Sequence, residues 1–315
     1  MRYVIALGGN ALLHRFERPD AGIQRHHVKE AAAQLAPVIE GHEVFICHGN
    51  GPQIGVLANE SDADLELAQP FPLDVLGAQT QGMIGYWLAQ ELANAGVSTP
   101  VAVLLTQTLV DPDDPAFAAP VKFIGPSYTR AQAERFATDR GWTVAADSAG
   151  WRRVVASPEP RRLLELPTIT SLAAAGILVV CAGGGGVPVV RDADGLRGVD
   201  AVVDKDLAAA LLAVSVGADR LVLLTDVSAV MRNFGREDAS PIAEIRVDEL
   251  DGMAFPSGSM GPKIEAGKRF ATATGRPAAI GSLAEAAAVV SGTSGTTIVA
   301  DAVALRSPDV EMSSR

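Results

Sequence analysis

Glu43-Val44-Phe45-Ile46-Cys47-His48-Gly49-Asn50-Gly51-Pro52 is a short apolar run that breaks into glycines and then into a helical pattern. A run of this length, almost continuous in apolar character, predicts a strand buried on both faces. Pro52 suits a first helical position. A glycine-rich turn feeding a helix N-terminus offers unbonded N–H donors and a favourable dipole to an anion. Asn50 adds an amide that both donates and accepts. The first apolar run, residues 3–7, ends in a similar turn, Gly8-Gly9-Asn10-Ala11, whose successive N–H groups can form an anion-binding nest. Together the two turns predict one shared anion site. Neither is Gly-x-Gly-x-x-Gly or a Walker A motif, which disfavours a Rossmann dinucleotide site and a P-loop.

Outward from these turns, apolar runs at 3–7, 43–47, 101–105, 177–181, 221–224 and 278–280 alternate with helical patterns. The helical patterns fall at 24–39, 53–67, 73–95, 168–175, 207–216, 262–274 and 283–290, with Pro37 leaving the end of the first one open. Such alternation predicts a mainly parallel sheet with helices on both faces, and ligands beyond the carboxyl ends of its strands. Residues 111–160 break the rhythm. They open Asp-Pro-Asp-Asp-Pro, close Ser-Pro-Glu-Pro and carry Lys122. We read them as a small inserted subdomain, with 1–110 and 161–315 forming the main domain, because structureless loops of that length are uncommon in compact domains. The tail after Leu305 reads as polar and loose.

Cations are used unevenly. Of 26 Lys and Arg residues only five are Lys. Lys29 and Lys268 sit in polar helical stretches and read as solvated. Lys122, Lys205 and Lys263 stand beside turn or helix-start signals, where a compact point charge rather than a planar fork is wanted. A net charge of −11 argues against a nucleic-acid backbone partner, so an anionic ligand needs positive charge focused locally. Asp204-Lys205-Asp206 precedes an Ala/Leu helix. Asp204 reads as its N-cap, and the flanking carboxylates are expected to keep Lys205 charged. Lys263 would lie in a first helical turn, where the dipole disfavours a cation, so a bound anion is expected to compensate. Four glycines at 183–186 imply a close approach. Cys47 and Cys181 end apolar runs and read as buried thiols, not a disulfide or metal site. No histidine has metal-ligand spacing, and His48 reads as structural. With no signal peptide or apolar span in view, the cytoplasm and no membrane partner are expected.

Taken in order, several stretches resemble the amino acid kinase family: Ala-Leu-Gly-Gly-Asn-Ala at 6–11, His-Gly-Asn-Gly-Pro-Gln at 48–53, Gly-Gly-Gly-Gly-Val-Pro-Val-Val at 183–190, Val-Asp-Lys-Asp at 203–206 and Gly-Ser-Met-Gly-Pro-Lys-Ile-Glu-Ala at 258–266. Thr-Gln-Gly-Met-Ile-Gly-Tyr-Trp-Leu at 80–88 and the inserted segment resemble the branch that phosphorylates carbamate. The likeness spans residues 1 to about 300. It implies an open αβα sandwich around a mainly parallel sheet, a small protruding subdomain and a homodimer. It implies the reversible reaction ATP + carbamate ⇌ ADP + carbamoyl phosphate, used to form ATP in arginine metabolism, with Mg²⁺ carried on the nucleotide phosphates. Catalytic roles fall on Lys122, Lys205, Asp206 and Lys263. Gly8, Gly9, Asn10, Gly49, Asn50 and Gly51 would hold carbamate or carbamoyl phosphate. Gly184, Gly185, Asp204, Thr225, Asp226, Ser257 and Met260 would hold the nucleotide. A kinase of another small carboxylate on the same fold stays open, as does a nucleotide-binding regulatory pseudokinase, although the latter predicts loss of at least one of the three lysines.

Overall fold

In the computed structural model, residues 1–9, 12–14, 17–147, 150–253, 255 and 260–300 are described; the expectation for the tail falls outside them. The chain begins β1 (Arg2–Leu7), α1 (Ala21–Ile39), β2 (Glu43–His48), α2 (Gly51–Ala63), α3 (Leu73–Asn94), β3 (Val101–Val103) and β4 (Gln107–Leu109). It continues β5 (Lys122–Tyr128), α4 (Arg130–Arg140), β6 (Thr143–Asp147), β7 (Gly150–Val155), β8 (Arg162–Leu163), α5 (Leu166–Ala174) and β9 (Leu178–Val180). Then come β10 (Val187–Asp192), β11 (Gly195–Gly198), α6 (Lys205–Ser215), β12 (Arg220–Thr225), β13 (Met231–Arg232) and β14 (Ser240–Pro241). The last elements are β15 (Glu244–Arg246), α7 (Val247–Leu250), α8 (Met260–Thr274), β16 (Ala278–Ser282), α9 (Ala286–Ser291) and β17 (Thr296–Val299).

The main sheet has eight strands in the order β15-β17-β16-β12-β1-β2-β9-β3. Its one antiparallel junction is β16 with β17. The six apolar runs are six of its strands. Alternation along each strand separates two cores: Val4, Ala6, Phe45 and Cys47 face one cluster with α5, α6 and α8, while Tyr3, Ile5, Leu7, Val44 and Ile46 face another with α1, α3 and α9. The result is three layers, helices over sheet over helices. Cys47 and Cys181 are free and buried. Pro37 does not end α1, which runs on to Ile39.

One feature falls outside the sequence reading. A second sheet, β11-β10-β4-β8, flanks the first. Between β4 and β8, β5-β7-β6 forms an antiparallel sheet of its own, backed by α4. α4 carries a full capping box on Thr129 and Gln132 and ends on left-handed Gly141. This small unit has few aliphatic side chains. Tyr128, Phe136 and Trp142 pack ring on ring, and Arg140 and Arg153 lie over the Trp142 ring. It rests on α2 through Ile124 and Val155, which join Ile54, Ala58 and Leu76 in a separate cluster.

Candidate active site

β1 and β2 end side by side, so their turns meet. A Cβ on Gly49 would lie 2.7 Å from the Gly9 nitrogen, and only glycine allows that contact. The same Cβ would stand 3.4 Å from Lys205 Cδ, which places the lysine stem against the paired turns. Asn50 is buried, and its Nδ2 donates to Thr80 Oγ1 at 2.7 Å, while Thr80 donates to the Gly77 carbonyl at 2.7 Å. α3 thus fixes the Asn50 amide. The close approach expected at the four glycines is made by the protein's own side chains: a Cβ on Gly184 would fall 2.2 Å from Asn50 Nδ2, and one on Gly183 would fall 2.4 Å from His48 Nε2.

α6 aims its N-terminus into the same space. Asp204 Oδ1 accepts from the backbone N–H of Asp206 at 2.8 Å and of Leu207 at 3.3 Å, the N-cap expected. Asp206, in the first turn, is the hub. Lys205 Nζ donates to its Oδ1, and Lys263 Nζ donates to its Oδ2 at 3.2 Å. Lys122, arriving from β5, donates to Asp204 Oδ2. Three ammonium groups therefore converge on two carboxylates, leaving one positive charge in a protein whose net charge is −11. Asp206 places a negative charge beside Lys263 in the first turn of α8.

Burial and charge work against each other here. Burial alone would raise the Asp206 pKa, but Lys205, Lys263 and Lys122 outweigh it and hold the carboxyl well below its usual range. The Lys205 pKa moves down. Burial, helped by the Lys263 charge, pulls its pKa below the ordinary lysine value despite Asp206 and Asp204. Desolvation wins there because the group has almost no access to water. His48 is held down to about 4 by burial, with the Lys205 charge adding to the effect and a hydrogen bond to the Gly49 carbonyl opposing it. It is a neutral structural imidazole at physiological pH. Its NMR resonance should not titrate between pH 5 and 8; a midpoint near 6.5 would remove it from this role. Because its folded pKa lies below the unfolded one, its contribution to stability is complete above about pH 6.5 and is lost as pH falls from there towards about 4.

The cleft enclosing these groups measures about 1640 Å³. Gly8, Gly9, Gly49, Asn50 and Gly51 line one end, with Lys122, Lys205, Asp206 and Lys263 over them. Gly184, Asp204, Thr225, Asp226 and Met260 also line it, and Thr225 Oγ1 donates to Asp226 Oδ1 at 3.0 Å. One expectation needs correction. Gly185 is not in the wall, because the space a Cβ would need is taken by the Val203 carbonyl, 2.5 Å from that position. Asp204 lines the cleft, with Oδ1 accepting from the α6 backbone and Oδ2 from Lys122. Asn10 and Ser257 lie outside the described residues. Among the described residues no cluster of His, Cys, Asp or Glu could hold a metal ion, and no helix is long and apolar enough to cross a membrane.

The amino acid kinase profile matches residues 1–282. This chain belongs to the amino acid kinase family. Within that family it is 47% identical over 302 residues to the carbamate kinase of Rhizobium meliloti (strain 1021), covering 95% of this chain and 93% of that one. Among solved structures, carbamate kinase from Giardia lamblia bound to citric acid superposes with a TM-score of 0.88 at 39% identity, covering 95% of this chain and 98% of that one. The same enzyme bound to AMP-PNP gives 0.85 at 40% identity, covering the same shares.

This amino acid kinase also uses residues that the sequence reading did not single out. Thr80 is one: a polar side chain on the buried face of α3, where a threonine among leucines marks a bonding job. Gly55 is the other. A Cβ there would lie 2.0 Å from Gly125 Cα, so α2 and β5 touch backbone to backbone, and Gly125 has a left-handed φ of 68°. Tyr128 and Asn59 bond alongside at 3.0 Å. Gly55→Ala must push β5, and with it Lys122, off its seat. Overpacking of this kind costs about 1–3 kcal/mol, and a misplacement of about 1 Å near the chemistry can cost roughly 10²-fold in rate. We expect a lower Tm together with a kcat reduced by about that factor; a Gly55→Ala enzyme of wild-type kcat would show that β5 tolerates the shift.

Proposed function

We propose that this chain catalyses ATP + carbamate ⇌ ADP + carbamoyl phosphate. One observation carries the reading: Lys122, Lys205 and Lys263 meet over the paired glycine turns of β1 and β2, held by Asp204 and Asp206. The carbamate kinase relatives support the choice of acceptor. A carbamate oxygen attacks the γ-phosphorus, the bond from that phosphorus to the β–γ bridging oxygen breaks, and the electron pair leaves on ADP. In reverse, a β-phosphate oxygen of ADP attacks carbamoyl phosphate. Carbamate is already an anion, so no general base is required. The protein's task is positioning and charge neutralisation.

In this reading Gly8, Gly9, Gly49, Asn50 and Gly51 hold carbamate through backbone and amide groups. Lys205 lies on the transferring phosphoryl group, Lys122 approaches it from the subdomain, and Lys263 meets the nucleotide phosphates. Thr225, Asp226, Met260 and Gly184 form the nucleotide wall. Mg²⁺ fits as an ion carried in on phosphate oxygens, since both oxygens of Asp206 and both of Asp204 bond protein groups. When bound it would neutralise charge across the β- and γ-phosphates. The subdomain, residues 111–160 in outline, acts as a lid that shields labile carbamoyl phosphate from water.

The test is direct. Purified protein with carbamoyl phosphate and MgADP should form ATP, read by luciferase; absence of ATP overturns the reading. A cytoplasmic homodimer belongs to the same proposal. Light scattering should then give twice the 32.6 kDa chain mass, and a monomer would refute the dimer.

A further inference from the structure

Lys122 stands at the start of β5, in the antiparallel sheet that covers the cleft, yet its ammonium is bonded to a residue 82 positions along the chain. That partner, Asp204, uses its two oxygens for different jobs. Oδ1 closes the N-terminus of α6 by accepting from Asp206 and Leu207, and Oδ2 takes the Lys122 ammonium. Asp204 is 6% exposed while the Lys122 side chain keeps 31% of its surface, so solvent screens this pair only in part. The two residues after it are Lys205 and Asp206.

The lid rests elsewhere on α2: Gly125 against Gly55, Tyr128 on Asn59, and Arg140 Nη1 3.4 Å from Asp62 Oδ2. Those contacts set the height of β5 over the substrate turn. They do not determine where the Lys122 ammonium points. Three like charges in one cleft repel one another. Asp206 takes two of them, Lys205 and Lys263, and the third is left to Asp204.

We propose that Asp204 is a positioning residue for the phosphoryl-transfer reaction, holding Lys122 in register with Lys205 by tying both to the first turn of α6. The proposal rests on the phosphoryl-transfer reading above. It assigns Asp204 no contact with the nucleotide. Its carboxylate steers the lid's lysine towards the transferring phosphoryl group and gives the lid an attachment on the α6 side of the cleft to match the one on α2.

Asp204→Asn separates the two jobs. An asparagine oxygen caps a helix as well as aspartate does, so the variant keeps the cap and the size and removes only the charge. We expect kcat to fall about 10- to 100-fold, in the range for misplacing a catalytic group, with KM for MgADP within about twofold and Tm close to wild type. In a Lys122→Ala background the same substitution should cost nothing further, because groups that act through one another are not additive. Hydrogen exchange in the ligand-free protein should show faster exchange over β5 and β7 and unchanged protection in α6.

An unchanged kcat overturns the proposal. So does an equal loss with and without Lys122, or a raised KM for MgADP at constant kcat, which would return Asp204 to the nucleotide. Loss of protection in α6 would show a cap only and also overturns it. If wild type forms no ATP from carbamoyl phosphate, the functional reading fails by itself, and the exchange comparison still decides whether Asp204 holds the lid.

Discussion

Lys205→Ala is expected to lower kcat for ATP formation by about 10³-fold or more, the scale on which a cation at a transferring phosphoryl group acts, with little change in KM for MgADP. Negative charge on the phosphoryl oxygens is redistributed as the bond to the leaving oxygen breaks, so a fixed ammonium beside it counts more in the transition state than in the bound substrate. The fold should survive. Burial already disfavours the Lys205 charge, as its lowered pKa records, and Asp206 keeps Lys263 as a partner at 3.2 Å. Lys205→Arg should restore little. The lysine stem lies against Gly49 and its head reaches Asp206 in the next residue, which leaves no room for a broader planar fork. The measurement is steady-state luciferase kinetics on both variants beside a thermal melt. A Lys205→Ala rate within tenfold of wild type would remove this lysine from the chemistry.

The parts of this site that were readable from the chain are those whose signal is local. Gly49-Asn50-Gly51-Pro52 declares a strand end, a turn and a helix start within four residues, and all three are found there. The Asp204 cap was readable for the same reason. What could not be read depends on partners far apart in sequence. Gly55 looks like a weak residue in a helix until Gly125 is seen against it, and Thr80 looks like helix filler until Asn50 arrives 30 residues away. The second sheet was missed on different grounds. Its strands are short, β10 contains Pro188, and Arg191 and Asp192 at its end are exposed, so neither alternation nor a continuous apolar run is present. The three lysines do converge, and the two carboxylates among them balance part of their charge, leaving one positive charge for an anion. Asp206 and Asp204 do favour the charged form of Lys205, as expected, while burial, the larger effect, lowers its pKa.

Asp206→Asn should be the most damaging single change to stability. The substitution preserves shape but leaves Lys205 and Lys263, both buried, without the carboxylate that now stands between them. Removing one partner of a buried ionic cluster costs about 3–5 kcal/mol, since the stranded charges are deprived of both water and counter-ion. Activity should fall with it, because repulsion would drive the two ammonium groups apart and away from the phosphoryl site. The acid dependence separates this account from a mere packing defect. The Asp206 pKa is depressed in the fold, so its stabilisation is complete above the ordinary aspartate value near 3.9 and is lost as pH falls below it, when the unfolded chain binds the proton first. Urea midpoints of the wild type and the variant should therefore differ by a constant amount from pH 5 to 8 and converge below about pH 4. A difference that stays the same down to pH 3 would mean that the carboxylate charge is not what holds the two lysines in place.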